Sequence, residues 1–222
     1  MRCVRNVPSP LLKLRLVRLL TEVASHCQDA IRTGRILPYL VALLSDPLPE
    51  ELVNCDMLEM LNLEGNSIGG VLPQGIWRLQ RLEYLVLNDN RLTGPLPEGI
   101  GYLSEIRELK LHNNLIDGTL PDTIGDAFAL EILRLDNNRM SGPMPPTIGK
   151  LRNVHYFDVH SNAFQGSIPS EIDGLHSVEY LYLNHNQITA VAAGTFDGLA
   201  SLEQLELGSN KITALAAGTF DG

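Results

Sequence analysis

The chain is poor in aromatic side chains, which make up 5% of its 222 residues and include a single tryptophan. A core built around large rings is therefore excluded, and aliphatic side chains must supply most of the buried surface. No apolar run approaches the roughly 20 residues that a membrane-spanning helix needs, so we expect no membrane insertion by this segment.

Cysteine is also scarce. The three cysteines, Cys3, Cys27 and Cys55, stand far apart and show neither metal-binding nor redox spacing. This pattern is typical of a reduced compartment rather than of a disulfide framework. No Asn-x-Ser/Thr glycosylation site occurs, and basic residues interrupt the N-terminal apolar stretch that a secretory signal would need. The expected location is cytoplasmic.

Positive charge is in short supply beyond the N-terminal segment. Residues 1–46 carry seven Lys/Arg against three Asp/Glu, whereas the remainder carries ten against 23. Nucleic acid is not expected as a partner, because phosphate binding needs clustered positive charge. The sequence also has no Gly-rich phosphate loop, nucleophile elbow, HExxH motif or CxxC pair. We therefore predict no enzymatic activity, no cofactor and no metal centre.

What the sequence does contain is the pattern LxxLxLxxN, repeated with a constant period of 24 residues. The first copy is Leu58-Leu61-Leu63-Asn66, and the others start at residues 82, 106, 130, 154, 178 and 202. Such a period predicts a solenoid in which each repeat forms one coil. The LxL segment is a short strand with alternate side chains pointing inward, so successive coils add parallel strands to one sheet. The inward leucines build a core that no single repeat could bury alone.

The asparagine that closes each copy forms a column along the solenoid. An inward-turned amide can donate to and accept from the backbone of the turn, which would otherwise leave polar groups unsatisfied. We therefore predict a structural role for Asn66, Asn90, Asn114, Asn138, Asn162, Asn186 and Asn210.

Five repeats continue with the pattern G-x-[LIM]-P-x-x-I-G-x-L, as in TGPLPEGIGYL and SGPMPPTIGKL. This half resembles the plant-type leucine-rich repeat of plant receptor kinases and polygalacturonase-inhibiting proteins. In that family the Gly and the apolar residue after it start a second short strand, which the Pro ends. The resemblance implies an α/β leucine-rich-repeat solenoid with its parallel sheet on the concave face.

The last two repeats read ITAVAAGTFDGLASL and ITALAAGTFDG. They resemble the "typical" leucine-rich-repeat subtype, which implies that Phe196 and Phe220 are core residues. The seventh repeat stops partway, at Gly222, without the polar cap that a solenoid needs. We therefore expect the chain to be part of a longer protein.

Residues 1–47 are predicted to form a helical segment, with helices over 9–27, 28–33 and 36–45. The stretch from Gln28 to Cys55 resembles an armadillo repeat. A second interpretation starts from Leu48-Pro49, which lies 24 residues before Leu72-Pro73. Residues 48–57 are then the outer half of a degenerate first repeat, with Cys55 at the position of Leu79. Under both interpretations a helical cap covers the open edge of the 48–222 solenoid.

The outward positions of the strands vary from coil to coil while the leucines hardly change. Large, partly polar side chains on such a face are the kind enriched in protein interfaces. The alternative is a solvated sheet face, since tyrosine is also a good strand former. The candidate partner-binding residues are Tyr84, Lys110, Arg134, Asp136, Tyr156, Asp158, Tyr180 and Tyr182.

These observations favour a module that binds a protein or peptide on its concave face, within a larger scaffold or signalling protein. The alternative is the ligand-binding ectodomain of a receptor-like kinase or receptor-like protein, which would place the chain at the cell surface. The paired-cysteine cap of secreted plant relatives is missing here. A third hypothesis makes the chain the regulatory part of an enzyme whose catalytic domain lies beyond residue 222.

Overall fold

The computed structural model describes residues 47–48, 52, 55–215 and 217–219. The helices predicted within 1–47, the armadillo-like stretch up to residue 46, and Phe220 lie outside this part of the chain. The predicted domain boundary at residue 47 stays a prediction.

Seven short parallel strands form one sheet, with each strand contributed by a successive coil. Paired residues are 24 positions apart, as in Leu61 with Leu85 and Leu181 with Leu205. This arrangement confirms the predicted solenoid. The strands, in both chain order and sheet order, are β1 (Met60–Asn62), β3 (Tyr84–Val86), β5 (Glu108–Lys110), β7 (Ile132–Arg134), β9 (Tyr156–Asp158), β11 (Tyr180–Tyr182) and β13 (Gln204–Glu206).

A second strand follows in most coils and forms two small parallel sheets, β2-β4-β6 and β8-β10-β12. These strands are β2 (Gly69–Gly70), β4 (Arg91–Pro95), β6 (Leu115–Asp117), β8 (Ser141–Gly142), β10 (Ala163–Ser167) and β12 (Gln187–Ala190). The expectation that the Gly starts this strand was wrong. Gly142 is the last residue of β8, and β4 and β10 begin three residues before Gly94 and Gly166.

A short 3-10 helix closes each of the first five coils, at Gln74–Arg78, Glu98–Tyr102, Asp122–Asp126, Pro146–Lys150 and Ser170–Gly174. The isoleucine in each helix is fully buried, as in Ile100 and Ile124. In the second, third and fourth coils the glycine after it lets neighbouring coils approach closely, because a Cβ on Gly101 would lie 2.6 Å from the carbonyl oxygen of Thr123. Trp77 takes the corresponding position in the first coil and is buried.

The inward side chains form one hydrophobic core that runs from Leu48 to Leu199. Phe196 belongs to this core, as the resemblance implied. At the N-terminal end, Cys55 packs against the core as a free thiol. The Leu58 amide donates to the Cys55 carbonyl at 3.0 Å, repeating the bond from Leu82 to Leu79 at 2.9 Å. Cys55 therefore occupies the position in its own coil that Leu79 occupies in the next coil.

The asparagine column binds the backbone of two successive coils. In Asn114, Nδ2 donates to the carbonyls of Leu111 and Leu87, each at 3.0 Å, and Oδ1 accepts from the amide of Leu92 at 2.9 Å. The same three kinds of bond recur at Asn90, Asn138, Asn162, Asn186 and Asn210. In Asn66, the amide donates to two carbonyls of its own coil.

Within the described part of the chain, no helix has the length and apolar character required to cross a membrane.

Candidate partner-binding face

The parallel register brings five of the predicted contact residues together on the outward side of β7, β9 and β11. Arg134 pairs with Asp158, which pairs in turn with Tyr182. Tyr156 and Tyr180 are register partners in the adjacent row. Residues that lie 24 positions apart in the sequence are thus neighbours, because adjacent strands are only about 4.8 Å apart.

Three half-buried side chains, Tyr156, Tyr180 and Tyr182, form what we call the tyrosine cluster. The ring centroid of Tyr156 lies 5.7 Å from that of Tyr180 and 5.5 Å from that of Tyr182. The guanidinium carbon of Arg134 is 5.6 Å from the Tyr156 centroid, within the range of a cation–π interaction. The cluster therefore presents aromatic surface on the concave face.

Beside the tyrosine cluster lies a charge network formed by Arg134, Asp136, Asp158 and His160. The Nε atom of Arg134 is 3.2 Å from Asp136 Oδ1 and 3.9 Å from Asp158 Oδ2. His160 Nδ1 is 2.7 Å from Asp158 Oδ1. The side chains of Asp136 and Asp158 are only 1% and 3% exposed, so both carboxylates are buried within the face rather than presented on it.

Burial shifts the proton equilibria in this network. Desolvation raises the pKa of the Asp158 carboxyl and the nearby Asp136 carboxylate raises it further, whereas hydrogen bonds from His160 lower it. His112 is also buried, and its Nδ1 has no hydrogen-bond partner within the described residues. Burial, reinforced by the charge of Arg134, lowers the pKa of this imidazole, which favours its neutral form.

Asp136, Asp158 and His160 also have the side-chain types that bind divalent metals, with candidate ligand atoms that lie within 4.8 Å of one another. The contacts within the network explain this grouping without a metal. The Arg134 guanidinium lies beside both carboxylates, and His160 Nδ1 is already at hydrogen-bond distance from Asp158.

A shallow depression of about 440 Å³ lies where the tyrosine cluster meets the charge network. Besides residues of these two groups, it is lined by Asn184 and Glu206. Four of the predicted contact residues do not line the depression: Asp136, Tyr180, Lys110 and Tyr84. Lys110 is adjacent to Arg134 and binds Glu108 at 2.6 Å. Tyr84, on β3, lies three strands from β9, or roughly 14 Å from it.

Two family models described as leucine rich repeat match the chain over residues 57–79, 81–103, 105–127, 128–188 and 181–222. The chain belongs to the leucine-rich-repeat proteins. A third model, described as the PIK3R4-like middle domain, matches residues 1–63.

Relatives of this leucine-rich-repeat protein match only parts of it. It is 41% identical over 59 residues to the serine/threonine-protein kinase VPS15 of Arabidopsis thaliana, a stretch that covers 27% of this chain and 4% of that kinase. Among solved structures, the Arabidopsis receptor kinase HAESA, in complex with the peptide hormone IDA and the co-receptor SERK1, has a TM-score of 0.72 at 29% identity. The alignment covers 74% of this chain and 28% of HAESA.

The plant peptide hormone receptor RGFR1, in complex with RGF2, has a TM-score of 0.63 at 25% identity. The alignment covers 78% of this chain and 34% of RGFR1. This leucine-rich-repeat protein therefore spans about a third or less of each of these three proteins.

The leucine-rich-repeat fold also forms a groove of about 820 Å³ away from the concave face. The groove runs along the segments that join the second strands to the 3-10 helices, including Pro121, Pro145 and Pro169. Sequence reasoning missed this groove, and it also missed Asn184 and Glu206 as lining residues of the depression. For Glu206 a signal was present, since it follows Tyr182 in the same outward column.

Proposed function

We propose that the concave face binds a protein or peptide and that the solenoid acts as a non-catalytic interaction module within a larger scaffold or signalling protein. The observation that carries this proposal is the tyrosine cluster. Its three rings stand together on the outward side of the sheet, with the ring centroid of Tyr156 within 5.7 Å of each of the other two. Tyrosine is enriched at interface hot spots because one side chain combines a large apolar ring with a polar hydroxyl.

The comparisons support this type of partner. HAESA is seen with a peptide hormone and a co-receptor, and RGFR1 with RGF2. Shared architecture supports a shared mode of binding more strongly than a shared ligand, because contact residues on a repeat scaffold vary independently of its core. The identity of the partner is therefore not carried over from these receptors.

Two settings for the module have specific support. The PIK3R4-like match and the similarity to VPS15 favour a cytoplasmic signalling protein. The likeness to HAESA and RGFR1 favours a receptor ectodomain at the cell surface as the second candidate. Imaging a tagged full-length protein separates them, since the first predicts signal in the cytoplasm and the second predicts labelling of intact cells by an antibody.

The binding proposal is tested by affinity capture with the full-length protein and a variant carrying Tyr156→Ala, Tyr180→Ala and Tyr182→Ala. We expect the variant to bind its partner about tenfold more weakly, equivalent to about 1.4 kcal/mol of binding free energy, and so to recover less of it. Tyr102→Ala is the matched control, because Tyr102 is exposed on a 3-10 helix outside the face.

Circular dichroism must show that the triple variant keeps its fold. Equal recovery of partner by the folded variant and the wild type would place the binding site elsewhere on the solenoid.

A further inference from the structure

We infer that the partner segment is positively charged. Its Lys or Arg side chains bind where the tyrosine cluster meets the acidic end of the concave face, at β11 and β13. This inference rests on the proposed function and adds the charge of the partner. It follows from how charge is distributed along the sheet.

The cations on the outward side of β5 and β7, and just before β5, are all paired within the face. Arg107 lies 3.3 Å from Glu83 and 2.7 Å from Glu131. Lys110 binds Glu108, and Arg134 binds Asp136. These cations are thus already neutralised, which leaves them poorly suited to hold an acidic partner.

The far end of the same face is different. Glu179, Glu203 and Glu206 lie on or just before β11 and β13, and no Lys or Arg of the described chain pairs with them. Glu203 and Glu206 are exposed. The partners shown for them are neutral groups, since Glu203 accepts from the Tyr180 hydroxyl at 3.1 Å and Glu206 accepts from Gln204 at 3.2 Å.

The negative potential reaches the tyrosine cluster itself. The hydrogen bond to Glu203, followed by the charge of that carboxylate, raises the pKa of the Tyr180 hydroxyl. Such a potential disfavours any additional anion and favours a cation beside the rings.

Aromatic faces next to carboxylates are a chemical match for ammonium and guanidinium groups. The ring quadrupole attracts the cation, and carboxylate oxygens accept charge-assisted hydrogen bonds from it. The chain shows this combination once already, where Arg134 stands over the Tyr156 ring and beside Asp136. Tyr182 and Glu206 line the depression and offer the same pair of groups to a side chain from outside.

The inference is tested by selecting peptides from a random dodecapeptide phage library on the immobilised full chain. Peptides that are enriched are then synthesised, and their affinities are measured by fluorescence anisotropy for three proteins. These are the wild type, the Glu203→Gln/Glu206→Gln variant, and a Glu64→Gln/Glu105→Gln control that removes two exposed carboxylates elsewhere.

We expect the selected peptides to be rich in Lys and Arg and to bind the Glu203→Gln/Glu206→Gln variant about tenfold more weakly, while the control binds within about twofold of wild type. Added salt should weaken the wild-type interaction, because it screens exposed charges. Enrichment of neutral or acidic peptides, or equal binding by both glutamine variants, overturns the inference.

The same peptides separate this inference from the proposed function on which it rests. Neutral or acidic peptides that lose affinity for the Tyr156→Ala/Tyr180→Ala/Tyr182→Ala variant leave the concave face as the binding site and refute only the charge of the partner. If every enriched peptide binds the tyrosine variant as tightly as the wild type, the proposed function fails as well.

Discussion

Asn138 shows at the scale of one residue how a repeat sequence encodes a coil. Its Nδ2 donates to the carbonyls of Leu111 and Leu135 at 3.0 Å and of Asp136 at 3.2 Å, while its Oδ1 accepts from the Ile116 amide at 2.9 Å. One side chain thereby joins the turn of its own coil to the backbone of the preceding coil. Leucine branches at the same carbon, but it is larger and offers none of these bonds.

We predict that Asn138→Leu lowers the free energy of unfolding by several kcal/mol, since each buried backbone group left unpaired costs about 1–3 kcal/mol. Urea denaturation followed by circular dichroism measures this loss. Asn153→Leu is the control, because the Asn153 amide makes one exposed hydrogen bond, to the Phe128 carbonyl, and should change stability by less than about 0.5 kcal/mol. Equal effects of the two substitutions would contradict a structural role for the asparagine column.

The burial of Asp136 and Asp158 shows where prediction from single positions stops. Periodicity assigns both residues to outward columns, and the structure keeps them there. Periodicity shows that a residue faces away from the core, but it does not show how closely neighbouring side chains on the face pack around that residue. On this face the carboxylates lie against Arg134 and His160, and these contacts leave them nearly inaccessible. The burial of these carboxylates depends on side chains of two neighbouring coils at once, which the residue types in a single column do not specify.

At the scale of elements, the sequence predicts the first strand of each coil better than the second. The LxL spacing predicts a strand over residues 133–135, within one residue of β7 at Ile132–Arg134, because its side chains must alternate between core and solvent. The second strand has no such alternation to fix its ends. The glycine of each coil does not fix its limits either, because β4 continues past Gly94, which has a φ of 80°. The structure shows that β8 ends at Gly142 in the left-handed region.

We predict that Gly142→Ala lowers the free energy of unfolding by about 2 kcal/mol or more. A left-handed conformation costs an L residue about 1–2 kcal/mol, and the new Cβ would lie 2.7 Å from Thr119 Cγ2. Gly208→Ala is the matched control, because a Cβ there has nothing within 4 Å and the backbone φ is not in the left-handed range. Thermal denaturation compares the melting temperatures of the two variants. A wild-type melting temperature for Gly142→Ala would show that the coil tolerates a side chain at this turn.

At the scale of the whole molecule, stability comes from stacking between neighbouring coils. Leu133 on β7 has a coil on each side and is fully buried, whereas the equivalent Leu205 on β13 is only partly buried. The last described strand of the sheet has a neighbour on one side alone, at β11. In such a one-dimensional array, the contribution of a core residue depends on how many of its neighbouring interfaces are formed.

We therefore predict that the same substitution has different costs along the solenoid. Leu133→Ala should lower the free energy of unfolding by about 2–5 kcal/mol, because it leaves a cavity between two coils that hold their positions. Leu205→Ala removes a side chain that solvent already reaches, so its cost should be about half as large or less. Urea denaturation of both variants, in the chain of residues 1–222 at one temperature, gives the comparison. Equal costs would mean that the core is as well packed at β13 as at β7, and the nearest-neighbour description of this solenoid would then fail.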